Sequence, residues 1–125
     1  MGVLSAIVID CNKAPDLARF WASVIDGYAI RPYDDAEIAR LALLGLTPAT
    51  DPTVAVDGPG PTLFFQEVPE KKSSKNRIHL DLEVADRPAA VERLTASGAT
   101  VIRHYDTWSV LADPETNEFC LSDQR

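Results

Sequence analysis

The chain has 125 residues, 46% hydrophobic and 25% charged, the make-up of one globular domain of ordinary size. Lys and Arg number 12 against 19 Asp and Glu, a net charge of -7. Such a surface repels nucleic acid and anionic lipid and suits neutral or cationic small partners. No apolar run reaches the roughly 18 residues of a membrane span; the nearest, Leu41–Leu46, is far shorter.

Leu4 to Cys11 is short and β-branched and predicts a buried strand. It starts without basic residues and is cut by Asp10, so it reads as a strand and not a signal peptide. Ala14-Pro15 opens a helix whose stripe is Leu17, Phe20, Trp21, Val24 and Ile25, with Gly27 as its stop. Trp21 falls on that stripe and is expected in the core. Tyr28–Pro32 predicts a second strand and Asp35–Leu44 a second helix. Pro48–Pro61, with four prolines and two glycines, predicts mostly loop around a short strand at Thr53–Val56. Leu63–Val68 is a strand, and the polar, basic stretch 69–76 is the linker.

The plot then repeats. Ile78–Val84 alternates as a strand, with His79, Asp81 and Glu83 on one face and Leu80 and Leu82 on the other. Pro88–Ser97 is a helix with Ala90, Val91 and Leu94 inward, closed by Gly98. Strands follow at Thr100–His104, Trp108–Leu111 and Glu118–Ser122, the last entered through the turn Asp113-Pro114-Glu115-Thr116-Asn117. At an offset of 73, Ile7, Ile9, Cys11 and Pro15 lie over Leu80, Leu82, Val84 and Pro88. At the ends, Leu63–Glu67 lies over Asn117–Leu121. The fold class is therefore α+β: two βαβββ modules, about 3–70 and 77–124, in one domain spanning 1–125.

The segments IDC, ARFW, LFFQEVPE, KNRIHLDLEV and VLADPETNEFCL, in this order, resemble the glyoxalase-like branch of the vicinal oxygen chelate superfamily. That superfamily includes glyoxalase I, extradiol dioxygenases, fosfomycin-resistance enzymes and bleomycin-binding proteins. The resemblance covers about residues 4–123 and implies curved mixed sheets around a central cleft between the modules, often in a homodimer. In metal-using members the first and last strands of each module supply four ligands. Carried across, those positions are Ala6, Gln66, His79 and Cys120. Ala6 offers no ligand atom and Gln66 only a neutral oxygen, while Cys120 stands where a glutamate is usual. No cofactor is therefore expected, a divalent metal being the alternative. The family's usual turn glycine is replaced by Thr116.

His79 and Glu118 are the candidate catalytic residues, as acid, base or hydrogen-bond donor. Phe64, Gln66, His79, Trp108 and Cys120 are the candidate ligand-binding set. Trp108 reads either as a cleft wall for a planar ligand or as core, and His104 as a surface or turn residue. Acidic groups on a cleft face imply either a wet cleft or a cationic ligand. Cys11 and Cys120 lie in strand-like runs and read as small apolar residues. With no export signal, a reduced cytoplasmic setting is expected. Three functions remain: a metal-independent binder of a small organic molecule, cationic or aromatic; a metal-dependent lyase, isomerase or dioxygenase; or a structural or regulatory domain. The partners expected are that ligand and a second copy in a homodimer, with no nucleic acid and no membrane.

Overall fold

A computed structural model describes all 125 residues, which divide into two compact units, 1–71 and 72–125. The division falls inside the polar stretch 69–76. Unit one runs β1 (Ala6–Cys11), α1 (Ala14–Val24), β2 (Ala29–Ile30), α2 (Asp35–Leu43), β3 (Thr53–Asp57) and β4 (Thr62–Glu67). Unit two runs β5 (Leu80–Val84), α3 (Arg87–Ala96), β6 (Thr100–His104), β7 (Trp108–Ala112) and β8 (Glu118–Asp123). The sheets have the same order, β1-β4-β3-β2 and β5-β8-β7-β6, with only β1–β4 and β5–β8 parallel. Each unit is thus a βαβββ module, the first with α2 inserted between β2 and β3. No helix is long and apolar enough to cross a membrane.

Period-two alternation sorts each sheet into a buried and an open face. In unit one Leu63 and Phe65 of β4 and Val54 and Val56 of β3 are buried, as are Leu17, Phe20 and Trp21 of α1. In unit two Leu111, Phe119 and Leu121 are buried with Leu94 of α3. The open faces carry Phe64 and Gln66 in one unit and Asp81, Val110 and Cys120 in the other.

The short strand expected at Thr53–Val56 forms, one residue longer, as Thr53–Asp57, an inner strand paired on both sides. The second strand shrinks to Ala29–Ile30, because Pro32 has no N–H to donate and Tyr28 turns away. The Tyr28 hydroxyl donates to the Pro61 carbonyl at 2.9 Å, and its ring fills the space where a side chain at Gly58 would stand.

The helix starts are capped in two ways. Asp34 and Asp86 accept the Glu37 and Ala89 N–H groups at 2.8 and 3.0 Å and so cap α2 and α3 locally. Lys13, before α1, cannot do this. Instead the Glu67 carboxylate, from the end of β4, accepts the Ala14 N–H at 3.0 Å, a placement the helix dipole favours.

Asp51 is only 4% exposed and accepts the Tyr33 hydroxyl at 2.8 Å and the Thr53 N–H at 3.0 Å. Burial, then the bond to Asp51, pushes the Tyr33 phenol well above its ordinary value. A phenol raised on folding adds stability that is complete below its unfolded value, about 10, and lost as pH climbs past it. Tyr33→Phe leaves a buried carboxylate oxygen without its donor. It should cost about 1–3 kcal/mol at neutral pH and flatten the stability profile in alkali. Urea unfolding of both proteins across that range checks this; equal alkaline slopes would contradict it.

Candidate functional site

The strand ladders fix where the predicted site residues stand. Asp81 faces Cys120 across β5–β8, and Cys120 faces Val110 across β8–β7. The strand expected from Ile78 begins only at Leu80, so His79 stands just before β5, and its ring nonetheless reaches Asp81. The result is a compact cluster: His79 Nε2 is 3.2 Å from Asp81 Oδ1, and the nearest ligand atoms of His79, Asp81 and Cys120 all lie within 4.8 Å of one another. A concavity of about 380 Å³ opens over it, lined by Lys75, His79, Ile102, Tyr105, Val110 and Cys120 among others.

Glu118 lies in the same concavity, but Lys75 of the linker holds it, Nζ to Oε1 at 2.6 Å. That bond keeps the carboxyl below its usual range, so Glu118 is ionised and unsuited to donating a proton. The linker is stitched to β8, because Asn76 also donates to the Glu118 carbonyl at 3.2 Å and accepts the Glu118 N–H at 3.2 Å. Burial, reinforced by Asp81, pushes the Cys120 thiol up, and the thiol hydrogen-bonds to Asp81. Cys120 is thus protonated at neutral pH and no nucleophile.

Trp108 is on the open face and 38% exposed, so it is not core, and it stands outside the lining of this concavity. It stacks on Tyr105 with ring centres 4.3 Å apart and planes at 11°, and the Arg103 guanidinium lies 5.0 Å from the Tyr105 ring centre. Arg87 holds this hairpin from behind. It donates to the Tyr105 carbonyl at 3.1 Å, to that of Asp106, to Ser109 Oγ at 2.8 Å and to Asp123 Oδ1 at 2.8 Å. His104 also serves that buried layer, its Nδ1 2.7 Å from Ser109 Oγ.

The other predicted residues, Phe64, Gln66 and Ala6, lie in unit one. Phe64 lines a separate concavity of about 580 Å³ with Arg31, Tyr33, Glu37, Arg40 and Asp51. Its arginines are already engaged, Arg31 with Asp57 and Arg40 with Glu37. Gln66 is exposed outside that concavity, and Ala6 starts β1 opposite Thr62.

The ladders also correct the register of the repeat. Ile7 faces Leu63, and its mate Leu80 faces Phe119, so the last strands stand 56 residues apart, not 54. Cys120 therefore mates with Phe64, and Gln66 with Ser122. The module-one counterparts of His79, Asp81 and Cys120 are Ala6, Val8 and Phe64, none of which has a donor atom. A four-ligand metal set drawn from both modules does not fit these residues.

Sequence reasoning placed Asp81 on the right face but named it neither as ligand nor as partner of Cys120. It missed Lys75, Arg103 and Tyr105. The alternation that put His79 and Asp81 side by side was the available signal for Asp81; the others depend on tertiary pairing.

Two βαβββ modules of identical strand order, each with an open sheet face, define the paired-module class of vicinal oxygen chelate proteins. The glyoxalase-like domain model matches residues 6–122, and the chain belongs to that family. Among solved structures it is similar to a glyoxalase/bleomycin resistance protein/dioxygenase family enzyme from Burkholderia phytofirmans PsJN. That match has 20% identity and TM-score 0.67 over 98% of both chains. It is also similar to the fosfomycin resistance protein FosX of Listeria monocytogenes, at 10% identity and TM-score 0.68 over 100% of this chain and 93% of that one. A glyoxalase-related enzyme from Fulvimarina pelagi shows 15% identity and TM-score 0.66 over 99% and 89%. No curated protein matches the chain.

Proposed function

We propose that the protein binds a small organic molecule with a planar ring and a cationic group on the open face of module two, without the four-ligand metal of its family. The observation that carries this reading is the exposed Tyr105–Trp108 stack on the sheet face that also bears the Asp81 carboxylate, with Tyr105 lining the concavity on that face. Aromatic faces hold planar and cationic groups, each such contact contributing about 0.5–2 kcal/mol. Asp81 supplies the anion, since Lys75 already neutralises Glu118. Loss of donors at Ala6 and Phe64 argues against the lyase, isomerase or dioxygenase alternative in its usual form.

Calorimetric titration with a panel of planar aromatic cations, such as acridinium dyes, tests the reading. Saturable one-site binding is expected, weakened about tenfold by Trp108→Ala and by Asp81→Asn, which corresponds to about 1.4 kcal/mol each. Neutral analogues of the same shape should bind more weakly. If no member of the panel saturates, or if Trp108→Ala binds as well as the parent, the reading fails.

A further inference from the structure

We infer that module two holds a divalent metal ion of borderline or soft character, with His79, Asp81 and Cys120 as its three protein ligands. Their donor atoms are an imidazole nitrogen, a carboxylate oxygen and a sulfur, all within 4.8 Å; the Cys120 thiol gives its proton to solvent as the sulfur–metal bond forms. Zinc-type bond lengths of about 2.0–2.3 Å place tetrahedral ligands roughly 3.3–3.8 Å apart. The cluster is thus within about an ångström of closing on an ion. The backbone need not move, because the β5–β8 ladder already sets Asp81 against Cys120. His79 and Asp81 are exposed and free to rotate the remaining distance. The exposed side of the cluster faces the concavity, which leaves a fourth position for water or a ligand atom.

The set differs from the family's in three ways. Asp81 does not occupy a family ligand position. The sulfur turns the preference towards zinc, cobalt or nickel and away from magnesium and calcium. And module one contributes nothing, because the counterparts Ala6, Val8 and Phe64 are apolar. This inference does not rest on the organic-ligand reading: an ion on Asp81 takes the carboxylate that a cationic molecule would meet, so the two compete, and the test contains no organic ligand.

Chelator-treated full-length protein is titrated with Co²⁺ and followed by absorption. One Co²⁺ per chain is expected, with the near-ultraviolet sulfur-to-cobalt charge-transfer band and the visible bands of a four-coordinate ion. Zn²⁺ should displace it and Mg²⁺ should not. Cys120→Ser should abolish the charge-transfer band, whereas Cys11→Ala should keep it. Asp81→Asn and His79→Ala should each weaken binding at least tenfold, and Gln66→Ala should leave it unchanged. Absence of a saturating band in the parent overturns the inference. So does a band that survives Cys120→Ser, full affinity in Asp81→Asn, or loss of affinity in Gln66→Ala. Circular dichroism of each variant separates loss of a ligand from loss of the fold, and Asp81→Asn, on an exposed side chain, still decides the matter if Cys120→Ser does not fold.

Discussion

Arg87→Ala should lower the free energy of unfolding by about 2–4 kcal/mol, through loss of hydrogen bonds from a charged donor and exposure of their acceptors. The side chain is 15% exposed and joins the start of α3 to the β6–β7 turn, to β7 and to the end of β8. Its ion pair with the half-exposed Asp123 contributes little of this; the carbonyls of Tyr105 and Asp106 and the fully buried Ser109 account for most. Ser109 keeps His104, which limits the damage. Lysine should restore only part of the loss, since a single ammonium cannot reach four acceptors that a planar fork spans. Urea unfolding of the three proteins measures it, and a change under 1 kcal/mol for alanine would refute the clamp. Because Arg87 sets the Tyr105–Trp108 hairpin without touching the concavity's floor, the alanine variant should also weaken binding of planar cations.

Asp113→Ala is expected to cost about as much, near 3 kcal/mol, for a different reason: its carboxylate is a charged acceptor for three donors at once. Asp113 is 3% exposed and accepts from Glu115 N–H, Asn117 N–H and Asn117 Nδ2 at 2.8–2.9 Å. These bonds hold a turn with Pro114 in its second position and Thr116 at φ 71°. A β-branched residue in the left-handed region costs roughly 1–2 kcal/mol, and the Asp113 network keeps it there. Thr116→Gly relieves that strain but gives the unfolded chain more freedom, so a net gain of about 0.5–1 kcal/mol is expected from the difference. Thermal unfolding of both single variants and the double variant checks the account. If glycine destabilises, or if it fails to recover part of the Asp113→Ala loss, the turn is not strained as described.

Much of the fold is legible in the residues because burial imposes a period. Leu80 and Leu82 against His79, Asp81 and Glu83, or Leu63 and Phe65 against Phe64 and Gln66, declare two faces, and the structure keeps both. The same periodicity hides a slip of two residues, which moves a strand along its neighbour and leaves every side chain on its face. That is why Gln66 looks like the mate of Cys120 when the ladder gives that place to Phe64. The inner strand Thr53–Asp57 is legible despite the prolines around it, which lie just outside its paired residues. Trp108 reads as either wall or core in the sequence because its stacking on Tyr105 and its exposure are set by the turn between them, which alternation does not fix.

The capping of the three helices also bears on the order in which the chain folds. Asp34 and Asp86 sit beside the turns they stabilise, so α2 and α3 carry their start signals within one stretch of sequence. The signal for α1 is 53 residues away, on Glu67. Loop closure over that distance must precede the contact that stabilises the first turn. The apolar stripe of α1 is strong enough to draw it onto the sheet, but its amino end becomes fixed only when β4 pairs with β1. The first turn of α1 thus depends on a tertiary contact that α2 and α3 do without.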